Sequence, residues 1–247
     1  MVSIPLIGIL AVFGHGIAML GPSIAAFIIL KYVIKVPLPK WKWSKIKYYI
    51  FILLFFGLSW SLPGIIGVMF KNFEFNIPEY MIIYMIFYFF IIPFAGIGEE
   101  FGWSTFLLTY LPKYVSKTKA IIIAGSLRGL WHLPVLIGYP VYMAINGEKT
   151  FFEIIIMIFA YSALLVITNI IFSSAFSIIW FQTNSTPLVG WEHLTYDLTR
   201  DFSLLLILGY VNDGIFRIIV QVPFYIIGIV FLFKLFYNEK RVKYGEK

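Results

Sequence analysis

Long apolar stretches separated by short charged ones make up almost the whole chain. Predominantly apolar runs cover Ile4–Val33, Tyr48–Phe70, Tyr80–Leu111, Ala120–Ile145, Phe151–Phe181 and Ile215–Phe236. Each supplies the roughly 20 residues that carry a helix across a bilayer. Pro187–Tyr210 has a similar length and is far more polar than the others. The pattern predicts an all-α, polytopic transmembrane bundle of seven spans, with its polar residues lining an intramembrane cavity. Residues 1–247 read as a single integral-membrane domain, without a long-period repeat, a low-complexity linker or a soluble domain. The apolar stretch in Met1–Leu30 is too long for a signal peptide and lacks a basic leader, so it reads as the first span.

Composition narrows the class. The chain is 61% hydrophobic and 13% charged, with a mean hydropathy of +0.91, whereas soluble domains are roughly 45–50% apolar. The absence of cysteine excludes disulfides, thiolate metal sites and a thiol nucleophile. The net charge of +7 sits in short loops between spans and therefore reads as topology, not as nucleic-acid affinity. Lys31, Lys35, Lys40, Lys42, Lys45 and Lys47 crowd the first loop, Lys113, Lys117 and Lys119 the third, and Lys240, Arg241, Lys243 and Lys247 the tail. The second and fourth loops mix Lys71 with Glu74 and Glu79, and Lys149 with Glu148 and Glu153. This alternation predicts an N-terminus outside and a C-terminus in the cytoplasm, the plasma membrane of a prokaryote being the expected location. Trp41 and Trp43, beside the first-loop lysines, read as headgroup anchors, so membrane lipid is an expected partner.

Against this background the ionisable residues inside spans stand out. Glu99 and Glu100 are adjacent within an apolar run, and charge at a span centre costs about 2.5–3.5 kcal/mol per residue on insertion scales. At a rise of roughly 1.5 Å per residue, Glu99 lies about 18 Å from Leu111 and His132 about 20 Å from Lys119. If the sixth segment enters near Ser185, His193 and Asp197 lie about 12 and 18 Å deep on the same rise. His193 and Asp197, at i and i+4, share a helix face, while Glu99 and Glu100 point about 100° apart. One glutamate then faces the reacting centre and the other supports it. Such a set suits activation of water for attack on a peptide carbonyl, with or without a metal. The same groups also suit interhelical hydrogen bonding or a proton relay in an ion-coupled transporter, although no inverted repeat is visible. His15, between glycines, has no acidic or histidine neighbour and reads as a packing residue.

The order Glu99-Glu100-Phe101-Gly102-Trp103, then Trp131-His132-Leu133-Pro134, then His193-x-x-x-Asp197, resembles the CPBP family of intramembrane proteases. That family includes CAAX prenyl endopeptidases and bacteriocin-processing or immunity-associated proteins. Gly21-Pro22-Ser23-Ile24-Ala25-Ala26 is similar to an element common in its prokaryotic members. The resemblance implies an endopeptidase acting on a membrane-associated peptide or protein. It implies Glu99 as the water-activating residue, Glu100 as its partner, His132 and His193 as water or metal binders, and Asp197 where asparagine is usual. A catalytically silent peptide-binding or bacteriocin-immunity protein is the alternative.

Two departures bear on the site. The family often carries arginine where this chain has Ser104, and phenylalanine where it has Arg128. Arg128, one turn before His132, is the expected replacement for the missing charge, the competing reading being a snorkelling or carbonyl-bound guanidinium. Asp197 adds a third carboxylate, so a divalent metal held by Glu99, His132, His193 and Asp197, zinc in particular, becomes the expected cofactor if the site is a metal site. Glu192 reads as solvation at the start of the helix, Ser185 and Pro187 as its start signal, Pro134 as a bend near His132, and Asn212-Asp213-Gly214 as a turn.

Overall fold

The computed structural model describes residue 14 and residues 16–69, 79–206 and 214–244. Every regular element among them is helical. His15 and the turn residues Asn212 and Asp213 lie outside the described residues. The first helical stretch contains α1, Gly21–Ile28, and closes as a π-helix over Ile29–Ile34. It is followed by α2, Ile46–Met69, and α3, Glu79–Glu100, which runs directly into a π-helical segment, Phe101–Leu107. Short turns over Leu108–Tyr110 and Leu111–Lys113 lead to α4, Lys117–Trp131, and α5, Leu133–Ile145. The long α6, Phe151–Thr183, is followed by α7, Thr186–Leu206, and α8, Gly214–Tyr244.

Three stretches among the described residues are long and apolar enough to cross a membrane: Gly16–Ile34, Phe151–Thr183 and Gln221–Lys240. Only 6% of the apolar window of α6 is buried. Phe159, Leu164 and Ile167 point outward from it, the arrangement of a helix whose solvent is lipid. Besides the first, which closes in π-geometry, two expected spans are not continuous α-helices. The third passes into π-geometry at Phe101, immediately after the glutamates. The fourth divides at His132 into α4 and α5, because Pro134 fits the first turn of a new helix and cannot continue the old one. The proline therefore separates two helices where a bend was expected.

The chain divides into two compact units, Met1–Phe106 with Ile179–Pro223, and Leu107–Ile178 with Phe224–Lys247. In the first, α7 packs along both α2 and α3. The polar sixth segment is thus a helix buried among apolar neighbours: Leu188, Val189, Glu192, Leu194, Thr195 and Tyr196 are all buried. Phe56 and Trp60 of α2 meet Tyr196 edge-on, at ring-centre distances of 5.4 and 5.8 Å. The start signal at Ser185 is realised, its hydroxyl accepting the Leu188 N–H at 3.3 Å. Asn184, at φ 48°, makes the left-handed turn between the two helices. Glu192 departs from expectation. It is buried, because the first turns of α7 are enclosed on every side instead of emerging into solvent.

In the second unit, Gly125 and Gly129 of α4 lie against the α6 backbone. A Cβ on Gly125 would sit 2.5 Å from the Ile170 Cα, and one on Gly129 2.9 Å from the Val166 Cα. Small residues four apart permit this close crossing, a common solution in membranes. The N-terminus of α6 carries a capping box. The Thr150 N–H donates to Glu153 at 2.9 Å, and the Glu153 N–H donates to the Thr150 hydroxyl at 3.3 Å.

Candidate functional site

Glycine contacts bring α3 and α7 together in the first unit. A Cβ on Gly96 would lie 3.1 Å from the Gly190 carbonyl oxygen and 3.1 Å from the Leu194 nitrogen, while one on Gly190 would lie 3.1 Å from the Ile97 Cα. This backbone-to-backbone crossing lies four residues before Glu100 on one helix and three before His193 on the other. It sets the two side chains face to face. Gly102 gives a second close approach, to α1, where an added Cβ would meet the Pro22 Cβ at 2.5 Å. The Ser23 hydroxyl donates to the Gly98 carbonyl. The Gly-Pro element of α1 thus braces the helix turn on either side of the glutamates.

The side chains form a connected series. The Ser104 hydroxyl donates to Glu100 Oε2. Glu100 Oε1 lies 3.0 Å from His193 Nδ1, and His193 Nε2 lies 3.2 Å from Asp197 Oδ2. Arg200 Nη1 donates to Asp197 Oδ1 at 2.8 Å, and its guanidinium sits 5.3 Å over the Tyr196 ring. Glu99 belongs to a separate arrangement, with Trp103 Nε1 donating to its Oε2 at 3.2 Å. Both glutamates have an exposure of 0%. Glu100 thus meets the histidine, and Glu99 meets the Trp103 indole.

A neutral imidazole has a single N–H and cannot donate to two carboxylates at once, whereas an imidazolium donates to both. Metal ligation, by contrast, requires a ring lone pair. With Nδ1 donating to Glu100, Nε2 and Asp197 Oδ2, 3.2 Å apart, could together hold a metal, Glu100 then orienting the ring. Among the described residues, no group of three or more His, Asp or Glu has metal-holding geometry. Of the ligands expected for zinc, Glu99, His193 and Asp197 lie in the first unit and His132 in the second, and no step below passes through a metal.

Two expected site residues belong to the second unit. His132 terminates α4, its N–H donating to the Gly129 carbonyl at 3.2 Å, and is half-buried where the helix divides. Arg128 is 2% exposed, with its guanidinium 5.3 Å from the Phe176 ring centre. A residue held this way is not snorkelling. Sequence reasoning passed over Arg200 as a participant, although its spacing of three from Asp197 on a helix marks it as a same-face neighbour. It also left Ser104 as a missing cation, where the hydroxyl supplies a neutral donor to Glu100.

Residues 81–199 match the family model described as Type II CAAX prenyl endopeptidase Rce1-like. The matched segment contains Glu99, Glu100, Arg128, His132, His193 and Asp197, and leaves the Gly-Pro element of α1 outside it. No curated protein and no solved structure matches the chain.

Proposed function

The chain belongs to the CPBP family of proteases, as an Rce1-like member, and on that premise we propose that it is an intramembrane endopeptidase hydrolysing a membrane-associated peptide or protein. The observation that carries the reading is the series Glu100–His193–Asp197, its glutamate and histidine buried and its aspartate half-buried, with the buried Glu99 next to it in the chain and bonded to the Trp103 indole. A buried ionic chain is a poor device for stability, because desolvation offsets most of the Coulombic gain. A hydrolytic reaction gives it a purpose.

In this mechanism Glu99 takes a proton from a water molecule as that water attacks the scissile carbonyl. Oxygen–carbon bond formation places negative charge on the carbonyl oxygen. His193, oriented by Glu100 and Asp197, stabilises that charge through its N–H, exchanging the longer contact, to Asp197, for the developing oxyanion. The proton held by Glu99 then passes to the departing nitrogen as the carbon–nitrogen bond breaks. For His132 it is the family resemblance that supports a part in the reaction, as a binder of the water. The basic first loop and tail face the cytoplasm in this reading, and the substrate is a short membrane peptide or a leader-bearing precursor.

The test is cleavage of a candidate membrane peptide by the purified protein, with Glu99→Gln and His132→Ala as the informative variants. Loss of general-base action lowers turnover by about 10²–10⁴-fold, so Glu99→Gln is expected to be inactive while folded, and His132→Ala to lose cleavage if the imidazole binds the water. Unchanged turnover in Glu99→Gln would overturn the assignment. Protection against a bacteriocin that persists in both variants would instead identify a peptide-binding immunity protein.

A further inference from the structure

The segment between α1 and α2 has no part in the reaction, yet it is built into the helix that carries the site. From Lys31 to Lys47 the chain holds six lysines and no acidic residue. Lys35, at φ 56°, ends the π-helical close of the first stretch and turns the chain into an irregular run that continues to Lys45. Within that run Trp41 is 51% and Trp43 69% exposed, with Lys40 and Lys45 exposed beside them.

The position of this run follows from its hydrogen bonds. Lys42 Nζ donates to the Thr183 carbonyl at 3.0 Å. Thr183 ends the apolar stretch Phe151–Thr183, and Ile34 ends the apolar stretch Gly16–Ile34. Two membrane-length helices therefore finish at the level of this segment, which places Lys40, Trp41, Trp43 and Lys45 at a bilayer surface. Tryptophan beside lysine at that depth, with no acid to neutralise the lysines, has the chemistry of anionic headgroup recognition.

The same segment reaches the site helix. Ser185, whose hydroxyl caps α7, also donates from that hydroxyl to the Lys42 carbonyl at 2.7 Å. Trp191 Nε1 donates to the Tyr49 carbonyl at 3.0 Å, two residues before His193. The rings of Trp41, Trp43, Tyr49 and Trp191 succeed one another at centre distances of 6.1, 6.4 and 6.2 Å. Anything that orders the exposed end of this series bears on the backbone that positions His193.

We propose that the Lys40–Lys47 segment is a binding site for anionic phospholipid headgroups, and that its occupancy steadies α7 and with it the hydrolytic site. The binding half stands on its own, and the coupling half rests on the protease reading. Lys40, Lys45 and Lys47 supply the charge to the headgroups, and Trp41 and Trp43 fix the depth. Lys42, itself exposed, is bonded to Thr183 and acts as the tie.

The experiment is tryptophan quenching in the full chain reconstituted into phosphatidylcholine vesicles containing brominated phosphatidylglycerol, compared with brominated phosphatidylcholine. The anionic lipid is expected to quench more strongly, and the excess should disappear in Trp41→Phe/Trp43→Phe. In Lys40→Gln/Lys45→Gln/Lys47→Gln the preference should fall by about fivefold for each lysine removed. Equal quenching by the two lipids, or a preference that survives the triple substitution, would overturn the proposal. Removal of the preference by inorganic phosphate, but not by chloride of equal ionic strength, would also overturn it, by showing a soluble-anion site. Cleavage measured on the same vesicles reads the coupling: turnover should rise with phosphatidylglycerol, and the rise should be lost in Ser185→Ala while the quenching preference remains. Absence of cleavage in every lipid would count against the protease reading and leave the quenching result to decide the lipid site.

Discussion

Buried charge is handled differently in the two units. In the first, Glu100, His193, Asp197 and Arg200 meet one another within hydrogen-bonding distance, three of them along one helix. In the second, Arg128 is buried, more deeply than Asp197 or Arg200, and the contact seen within that unit is the face of Phe176. The first arrangement is directional: each oxygen and ring nitrogen has a defined opposite number. The second is a cation against a quadrupole, tolerant of small rotations. Geometry of the first kind is needed where a proton has to be held at a particular atom. The second kind suffices where only charge is wanted.

The comparison can be broken most severely at His193. His193→Ala leaves two carboxylates without their common partner, and removing one member of a buried ion pair costs about 3–5 kcal/mol. The variant is expected to lose cleavage and to melt well below the parent in detergent; a parental melting temperature would show that the series is not coupled in the folded protein. Gly102→Val tests the brace on α1. An added Cβ would meet Pro22 at 2.5 Å, and overpacking of this kind costs roughly 1–3 kcal/mol. The expected outcome is a lower melting temperature with turnover reduced in step, whereas unchanged melting would show that α1 yields.

Arg128 sharpens the contrast from the other side. If it provides charge alone, Arg128→Lys should keep most of the activity and Arg128→Ala little; full activity in the alanine variant would end the expectation that Arg128 replaces the charge absent at Ser104. The smallest effect is expected at Glu153. Its carboxyl is held by the Thr150 N–H and hydroxyl and lies 3.2 Å from Lys149, all on the exposed start of α6. Glu153→Gln should leave turnover unchanged, and a measurable loss would mean that this exposed cap communicates with the site.

How much of this was legible depends on the kind of contact. Contacts within a helix turn could be read from spacing, which is why His193 and Asp197 were placed on one face and are in fact 3.2 Å apart. Two hydrogen bonds, one in each unit, join segments that are far apart in sequence. Lys42 to Thr183 puts the ends of the first and fifth apolar stretches on one side, and the Thr118 N–H donates to Glu239 at 3.1 Å, joining the start of the fourth to the C-terminal end of the last. The assignment of seven spans is not established by the three membrane-length helices among the described residues. What periodicity could not supply was the crossing of Gly96 and Gly190, because a glycine carries no signal of the helix it will touch. The π-segment was equally silent. It follows the glutamates with i to i+5 bonding, a variation often found at functional sites that no hydrophobic period announces.

The distance along the chain between Glu100 and His193, 93 residues, has a consequence for biosynthesis. At about 5–20 residues per second, the glutamate precedes its imidazole by roughly 5–20 s of translation. Over that interval the α3 segment has already left the ribosome while α7 does not yet exist. A nascent chain halted before Thr186 therefore contains both glutamates and none of the α7 residues that partner Glu100. The Glu100–His193 contact is assembled late, and a half-made copy lacks it.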